Sequence, residues 1–560
     1  MKRAFNKYLK TIVLGGVTAA LAVSCIQSPI EQTAESITKQ SLMEPIEVLA
    51  SDEFKGRATG TEGEEKTVNY LVGKFEEYGL QGGAEDGSFV QDVPLIGQKT
   101  AQDAQIQITS NGTNIHEFDY YSDFMAWPSN LADEVSMDQA ELVYVGYGIQ
   151  APEENWDDFK ETDVKGKVLV VKNNDPSYNP DLFKGDTRLY YGRYDYKYEK
   201  ARELGAAGVL IIHTTPTAGY GWNVVAGSWS RERFYLRDND AMEEMPTEFN
   251  GWLTKEASTS IFESAGLDLE EQLKAAESRS FEPVPLDGLR LSLDLSASYR
   301  EKNAKNVLGV IEGSNDSLNE EYMVFTAHHD HLGITKPVEG DSVNNGALDN
   351  AAGVSALLNM ARSYKKLQPQ LKRSVLFLIV GAEEVGLLGS KYWAENPTVP
   401  PGRVTANINL DGMNVYGKTS DLVLVGYGRN TVSDVIEKLA NEQGRKVKPD
   451  ANPDQGYFYR SDHFSLAKKG IPAVFPNPGT EFVGKPDGYG ATVDSLQNAN
   501  YHTVNDEINK YWDLSGMVQD VRLFFDAGYR IINAEEMQTW QPGDEFKQKR
   551  LEMIQQVNTE

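Results

Sequence analysis

The chain has 560 residues, too many for one ordinary hydrophobic core, so two or more domains are expected. It carries 54 Lys and Arg against 83 Asp and Glu, a formal net charge of -29 at pH 7, which opposes nucleic-acid binding because that needs basic surface to displace counterions. Its one cysteine, Cys25, excludes an internal disulfide.

In chain order, Lys2, Arg3, Lys7 and Lys10 precede an apolar stretch too short to span a bilayer comfortably. That stretch ends in LAVSC, which resembles a bacterial lipobox. The resemblance implies a signal peptide over 1–25, lipidation of Cys25 and an extracytoplasmic lipoprotein whose only membrane contact is its anchor. Residues 26–40 are polar and predict a tether. From Leu42 two helical patterns flank the turn-rich GRATGTEG, the second carrying Val68, Leu71, Val72 and Phe75 at helical spacing and ending at Gly79.

Residues 98–290 have another texture: short β-like runs (AQIQIT, ELVYVGYGI, GKVLVV, GVLIIH) and one clear helix, KYEKARELGAAG. They predict an inserted, mainly β domain. From about 303, apolar runs alternate with amphipathic helices: NVLGVIEG, YMVFTAHHD, SVLFLIVGAEE, VTANINLDGM, LVLVG and IPAVFP as strands. This predicts an α/β fold, a mostly parallel mixed sheet with helices on both faces. A charged, helical tail is expected over 537–560.

Ligands of open α/β sheets bind beyond the carboxyl ends of the strands. Those ends deliver His328-His329-Asp330-His331, then Asp349 after a loop, Glu383-Glu384, Asp411 and, after a longer loop, His502. Imidazoles and carboxylates without a thiolate suit a pair of zinc ions or similar divalent metals. His328 and Asp330, at i and i+2, share a strand face, so Asp330 can orient the imidazole. One of the adjacent Glu383 and Glu384 can ligate while the other serves as general base. Singly, each residue has a plainer reading: Asp349 a helix N-cap, the glutamates a solvated helix start, His502 a surface residue. Jointly, several charges beside apolar strands would need partners.

The motifs AHHDHLG, GALDNAAG, GAEEVGLLGS, NLDGM, SDHFSLAKKGIPAVF and YHTVND resemble the co-catalytic dizinc aminopeptidase and glutamate carboxypeptidase superfamily. The resemblance implies the zinc exopeptidase fold over 41–97 and 291–536, interrupted by the insert 98–290, and two Zn2+ ions. His328 and Asp411 would hold one zinc, Glu384 and His502 the other, and Asp349 would bridge them. Glu383 would take a proton from the shared water and pass it to the leaving amine. Asp330 would stand behind His328, and Asp506 would orient His502. His329, His331 and His463 match no ligand position and read as pocket lining or structural. Leu348 departs from relatives that carry an acid there. The stretches ELVYVGYGIQAP, DVKGKVLVV and KYEKARELGAAGVLII resemble a protease-associated domain. Its aromatic run LYYGRYDYKY reads as packing or as a peptide-contacting lip.

The function so implied is removal of N-terminal residues from peptides. A carboxypeptidase, with Arg460 as a candidate clamp for the terminal carboxylate, or another amide hydrolase of the same fold, and a non-catalytic binding protein on that fold are the alternatives.

Overall fold

The computed structural model describes residues 28–177, 179–237 and 247–559. Cys25 and the expected signal peptide lie outside them. Among the described residues no helix is long and apolar enough to cross a membrane.

The expected tether is not free where it is described. Ile37 is fully buried, Ile30 and Ala34 pack on the main core, and Arg522 holds the carbonyls of Glu35 and Ile37. The correction has a simple cause: Ile30, Ala34 and Ile37 recur at helical spacing and form an apolar stripe. Helix α1 (Lys39–Leu49) follows, with Thr38 as its cap, and then α2 (Glu62–Tyr78), which ends at left-handed Gly79.

Strand β1 (Val90–Thr100) leads into the insert, whose core strands are β2 (Phe124–Pro128), β3 (Val168–Lys172), β4 (Gly208–Ile212) and β5 (Phe249–Leu253), with helix α3 (Tyr194–Glu203) before β4. β3, β4 and β5 are parallel neighbours, and β2 closes on β5 antiparallel. The chain returns through β6 (Val284–Ile311). β6 pairs with insert strands over its first part and with β1 from Ala297 to Val307. The expected boundaries at 97/98 and 290/291 therefore fall inside paired strands, and the two bodies share continuous backbone ladders. Each has its own hydrophobic core.

The larger body continues with β7 (Tyr322–His328), α4 (Gly353–Lys366), β8 (Ser374–Val380), β9 (Val404–Asn409), β10 (Asp421–Val425), α5 (Thr431–Glu442), β11 (Lys446–Lys448), β12 (Ala473–Asn477) and α6 (Ser515–Asn533). Its strands run in the order β11-β10-β12-β9-β7-β8-β6. The central β12, β9, β7 and β8 are parallel, while β6 and β10 are antiparallel to their inner neighbours. This is the mixed α/β sheet the apolar runs predict. β7 and β8 are wholly or almost wholly buried because helices cover both faces.

The segment expected as a tail docks. Trp540 is fully buried and donates to the Gly470 carbonyl at 2.9 Å, and helix α7 (Lys547–Thr559) buries Arg550 against the Val404 carbonyl at 2.8 Å. A charged sequence still docks when a few apolar and arginine anchors find partners.

Candidate metal and catalytic site

Register builds the site. Thr326 faces Leu378 of β8 and Asn409 of β9, so the three parallel strands stop at one level. His328 closes β7, while Glu383 and Asp411 lie three and two residues beyond β8 and β9. The side chains that follow each strand are thus delivered to one edge.

Asp349 sits between two groups. Its Oδ1 is 3.2 Å from His328 Nε2, which is also 3.2 Å from Asp411 Oδ1. Its Oδ2 is 3.3 Å from His502 Nε2, which is 2.9 Å from Glu384 Oε2. The five residues expected as ligands therefore converge, and the carboxylate expected as a bridge stands in the middle. His331 joins them, with Nδ1 2.6 Å from Glu384 Oε1 and 3.9 Å from Asp349 Oδ2. Expected only to line the pocket or serve structure, it lies in the second group of potential ligands: His328, Asp349 and Asp411 form one, His331, Asp349 and Glu384 the other. His331 and His502 flank Glu384 from opposite sides, rings 5.8 Å apart and nearly perpendicular. Gly346, at φ 56°, lets the loop pass over His331, because a Cβ there would lie 2.6 Å from the ring.

The remaining histidines differ. His329 points away and bonds the Lys305 carbonyl at 2.7 Å, and burial pushes its imidazole down to about 4. His463 is fully buried between Phe458 and Phe475, with centroids at 4.6 and 5.4 Å, and is an aromatic core residue. Burial first, then the Arg429 charge, pushes its imidazole down to about 3, against about 6.5 in an unfolded chain. A neutral native imidazole contributes stability fully above pH 6.5, and that contribution is lost as pH falls toward 3. Wild type should therefore lose about 2 kcal/mol more than His463→Phe between pH 6.5 and 5, at about 1.4 kcal/mol per unit. Urea unfolding at the two pH values checks this, and equal losses would show that this imidazole does not set the acid limit.

Supporting residues hold the carboxylates. Asp330 is fully buried, but its oxygens do not grip His328, whose Nδ1 faces the Asp330 backbone carbonyl at 3.2 Å and the carboxylate only at 3.8 Å. The carboxylate instead accepts the backbone N–H groups of Glu383 at 3.0 Å and Glu384 at 3.3 Å, and the Thr59 hydroxyl at 3.2 Å. It shapes the turn that aims both glutamates. Asp506 likewise accepts the N–H groups of Leu348 and Asp349, both at 2.9 Å. It orients the Asp349 backbone where an interaction with His502 was expected. Asn350 ties that turn to the next: Nδ2 donates to the Leu410 carbonyl, and Oδ1 accepts from Gly353 and Gly412.

Asp411 is held by a relay that sequence reading missed. Asn407 Nδ2 donates to Thr326 Oγ1 at 3.1 Å, Thr326 to Asn409 Oδ1 at 2.6 Å, Asn409 Nδ2 to Ser461 Oγ at 2.7 Å, and Ser461 to Asp411 Oδ2 at 2.5 Å. Asn407, Asn409 and Asp411 alternate at i, i+2 and i+4, and that alternation was the available signal. Ser461→Ala should weaken divalent-metal affinity about tenfold, in the range for loss of an outer partner, as measured by chelator competition. An unchanged affinity would show that the relay does not orient Asp411.

The donor set fits divalent metal. Among the described residues no Lys or Arg pairs with Asp349, Glu383, Glu384 or Asp411; imidazoles lie within pairing distance of Asp349, Glu384 and Asp411. Such crowded carboxylates need compensating charge. Arg57 behind the site supplies part of it, and, without metal, protons on the imidazoles and carboxyls supply more. Burial opposes charge on His502, yet its bonds to Asp349 and Glu384 raise the imidazole to about 10. Burial, opposed by His328 and reinforced by Asp411 and Asp462, pushes the Glu383 carboxyl well above the usual carboxylate range.

A cavity of about 520 Å³ opens onto Glu383, Glu384 and His502, walled by both bodies. Tyr190 of the insert packs on Phe464 and Tyr459 at 5.1 and 6.2 Å, and Lys468 bonds Glu199 at 2.7 Å across the junction. The aromatic run 189–198 is thus packing and wall at once: Tyr196 is buried away from the cavity, while Tyr190, Tyr194 and the buried Tyr198 line it. Tyr501 stacks on His502 with centroids 3.8 Å apart.

Residues 306–525 match the model of peptidase family M28. The chain is 27% identical over 210 residues to Aminopeptidase YwaD of Bacillus subtilis (strain 168), an alignment covering 36% of this chain and 42% of that protein. It is 28% identical over 160 residues to a probable zinc metalloprotease of Pyrenophora teres f. teres (strain 0-1), covering 29% and 30% respectively. The chain thus spans less than half the length of these curated relatives. Among solved structures, an aminopeptidase from Aneurinibacillus sp. strain AM-1 superposes with a TM-score of 0.48 at 20% identity, covering 90% of this chain and 95% of that one.

Proposed function

Since residues 306–525 are a peptidase family M28 domain, we propose that the protein is a zinc-dependent exopeptidase that removes N-terminal residues from peptides. The carrying observation is the placement of Asp349 between His328 and Asp411 on one side and Glu384 and His502 on the other. His328, Asp349 and Asp411 would hold one zinc, and Asp349, Glu384 and His502 the other, with His331 beside the second. When bound, the ions supply Lewis acidity that polarises the scissile carbonyl and acidifies water.

The chain's own groups do the rest. Glu383 faces the cavity, its backbone held by Asp330, with no hydrogen bond of its own carboxylate to another side chain among those described. It takes the proton of the attacking water and returns it to the leaving amine nitrogen. The insert, read as a protease-associated domain, walls the cavity and limits entry to peptide ends. The N-terminal motif supports an extracytoplasmic location with an anchor at Cys25, and membrane contact through that anchor alone.

The test uses zinc-loaded protein lacking residues 1–25 and matched peptides with free or acetylated N-termini, followed by mass spectrometry. Stepwise loss of N-terminal residues from the free peptides alone is expected. Trimming of acetylated peptides from the carboxyl end would make it a carboxypeptidase, and no cleavage at full metal loading would favour a binding protein.

A further inference from the structure

The cavity wall reverses the charge of the molecule. The chain has 83 acidic residues against 54 basic ones. Yet eight lysines and arginines line the cavity against five carboxylates, two of which are Glu383 and Glu384. Two of the cations are held by acidic partners: Lys468 by Glu199 at 2.7 Å and Lys469 by Glu395 at 2.8 Å. Arg193, from the insert, and Arg460, from the larger body, are not. Neither makes an ion pair among the described residues; each guanidinium lies 5.2 Å from an adjacent tyrosine ring, Tyr194 and Tyr457 respectively. Asp195 feels the Arg193 charge but does not reach pairing distance, and it is shared with Lys391 and Lys468. Burial and then the nearby Arg193 charge hold Arg460 below the usual guanidinium range, so the two cations repel each other across the wall.

Two like charges from separate bodies, facing one cavity without a counterion, are stabilised by an anion between them. A guanidinium matches a carboxylate through two parallel N–H···O bonds. Resting on the exopeptidase reading, we propose that Arg193 and Arg460 recognise a carboxylate of the substrate, making this an enzyme for peptides that present a negative charge next to the scissile bond. That carboxylate is either an acidic side chain or the free terminus of a very short peptide. Because the arginines come from different bodies, the site is formed by the packing of the insert against the larger body.

The test compares acid and amide forms of otherwise identical substrates. Glu-Ala-Ala-amide against Gln-Ala-Ala-amide reads the side chain, and Ala-Ala against Ala-Ala-amide reads the terminus. The ratio of kcat/KM within each pair is measured for wild type, Arg193→Gln and Arg460→Gln. The same pairs are titrated calorimetrically into zinc-loaded Glu383→Gln protein, with and without each arginine substitution. One pair should favour the acid about ten- to a hundredfold in wild type, as charge-assisted bonds allow. Either arginine substitution should cut that ratio at least about tenfold, and Arg460→Lys should restore part of it. A ratio does not depend on how much protein is folded. Acid and amide within twofold in both pairs, or ratios unchanged by both substitutions, would overturn the proposal. If wild type cleaves nothing, the exopeptidase reading fails alone, and the binding ratios still decide the role of the arginines.

Discussion

Glu383→Gln is expected to lower kcat at least about 100-fold while the protein keeps its metal. The amide preserves volume, and the backbone N–H of residue 383 still donates to Asp330 at 3.0 Å. What disappears is the ability to accept and return a proton. None of the ligand-group contacts involves the Glu383 side chain: His328 is held by Asp349 and Asp411, and His502 by Asp349 and Glu384. Metal content by atomic emission should therefore match wild type. Steady-state kinetics on a peptide with a free N-terminus should show the loss in kcat, with KM little changed, because the proton moves only in the transition state. Activity within about threefold of wild type at full metal loading would remove Glu383 from the mechanism. Equal loss of metal and activity would make it a ligand.

Arg57→Met is expected to destabilise the larger body by more than about 3 kcal/mol and to weaken its metal affinity. The Arg57 guanidinium is 1% exposed and donates to four backbone carbonyls: Leu49 and Asn345 at 2.6 Å, His329 at 2.8 Å and Gly346 at 2.9 Å. Those carbonyls belong to α1, the loop after β7 and the loop before Asp349, so one side chain ties three segments behind the site. Methionine matches the stem but leaves the carbonyls without a donor. Burial lowers the guanidinium to about 10, against the pull of Asp506, Asp349, Asp330 and Glu384, so it stays charged at neutral pH and offsets their crowding. Arg57→Lys keeps charge but has a single donor nitrogen for four spread acceptors, and should recover only part of the stability. Urea unfolding followed by tryptophan fluorescence, with chelator competition for metal, reads both effects. A loss below about 1 kcal/mol would show that the carbonyls find other partners and that the arginine is incidental.

The insert gives these effects a setting. Its cavity wall is built by aromatic packing across a junction, Tyr190 on Phe464 and Tyr459, and by strands β1 and β6 that run through both bodies. Shared ladders resist large rigid-body separation. Access to Glu383 therefore depends on the side chains of the wall, Arg193 and Arg460 among them.

The alternation of apolar runs and amphipathic helices by itself determined the sheet and its parallel centre, because strands buried on both faces must be apolar throughout. It also placed His328, Glu383, Glu384 and Asp411, since polar residues that abruptly end such strands fall at one edge. Asp349 and His502 were read after loops beyond the strands, and only the resemblance gave them their roles as bridge and ligand. Tertiary structure decided the rest. His331 and His329 are one residue to either side of Asp330, yet only the turn after β7 sends one toward Glu384 and the other toward the Lys305 carbonyl. Asp330 and Asp506 serve backbone N–H groups rather than imidazoles, a distinction of a few ångströms that no residue type encodes. Arg57 and Ser461 lie in turn-rich segments with no periodic signal, and their roles exist only because distant carbonyls and Asp411 are brought to them. The stretches 28–40 and 537–559 read as tether and tail because polar residues dominate the first and charged ones the second, but a few anchors, Ile37, Trp540 and Arg550, dock them once a core is present to receive them.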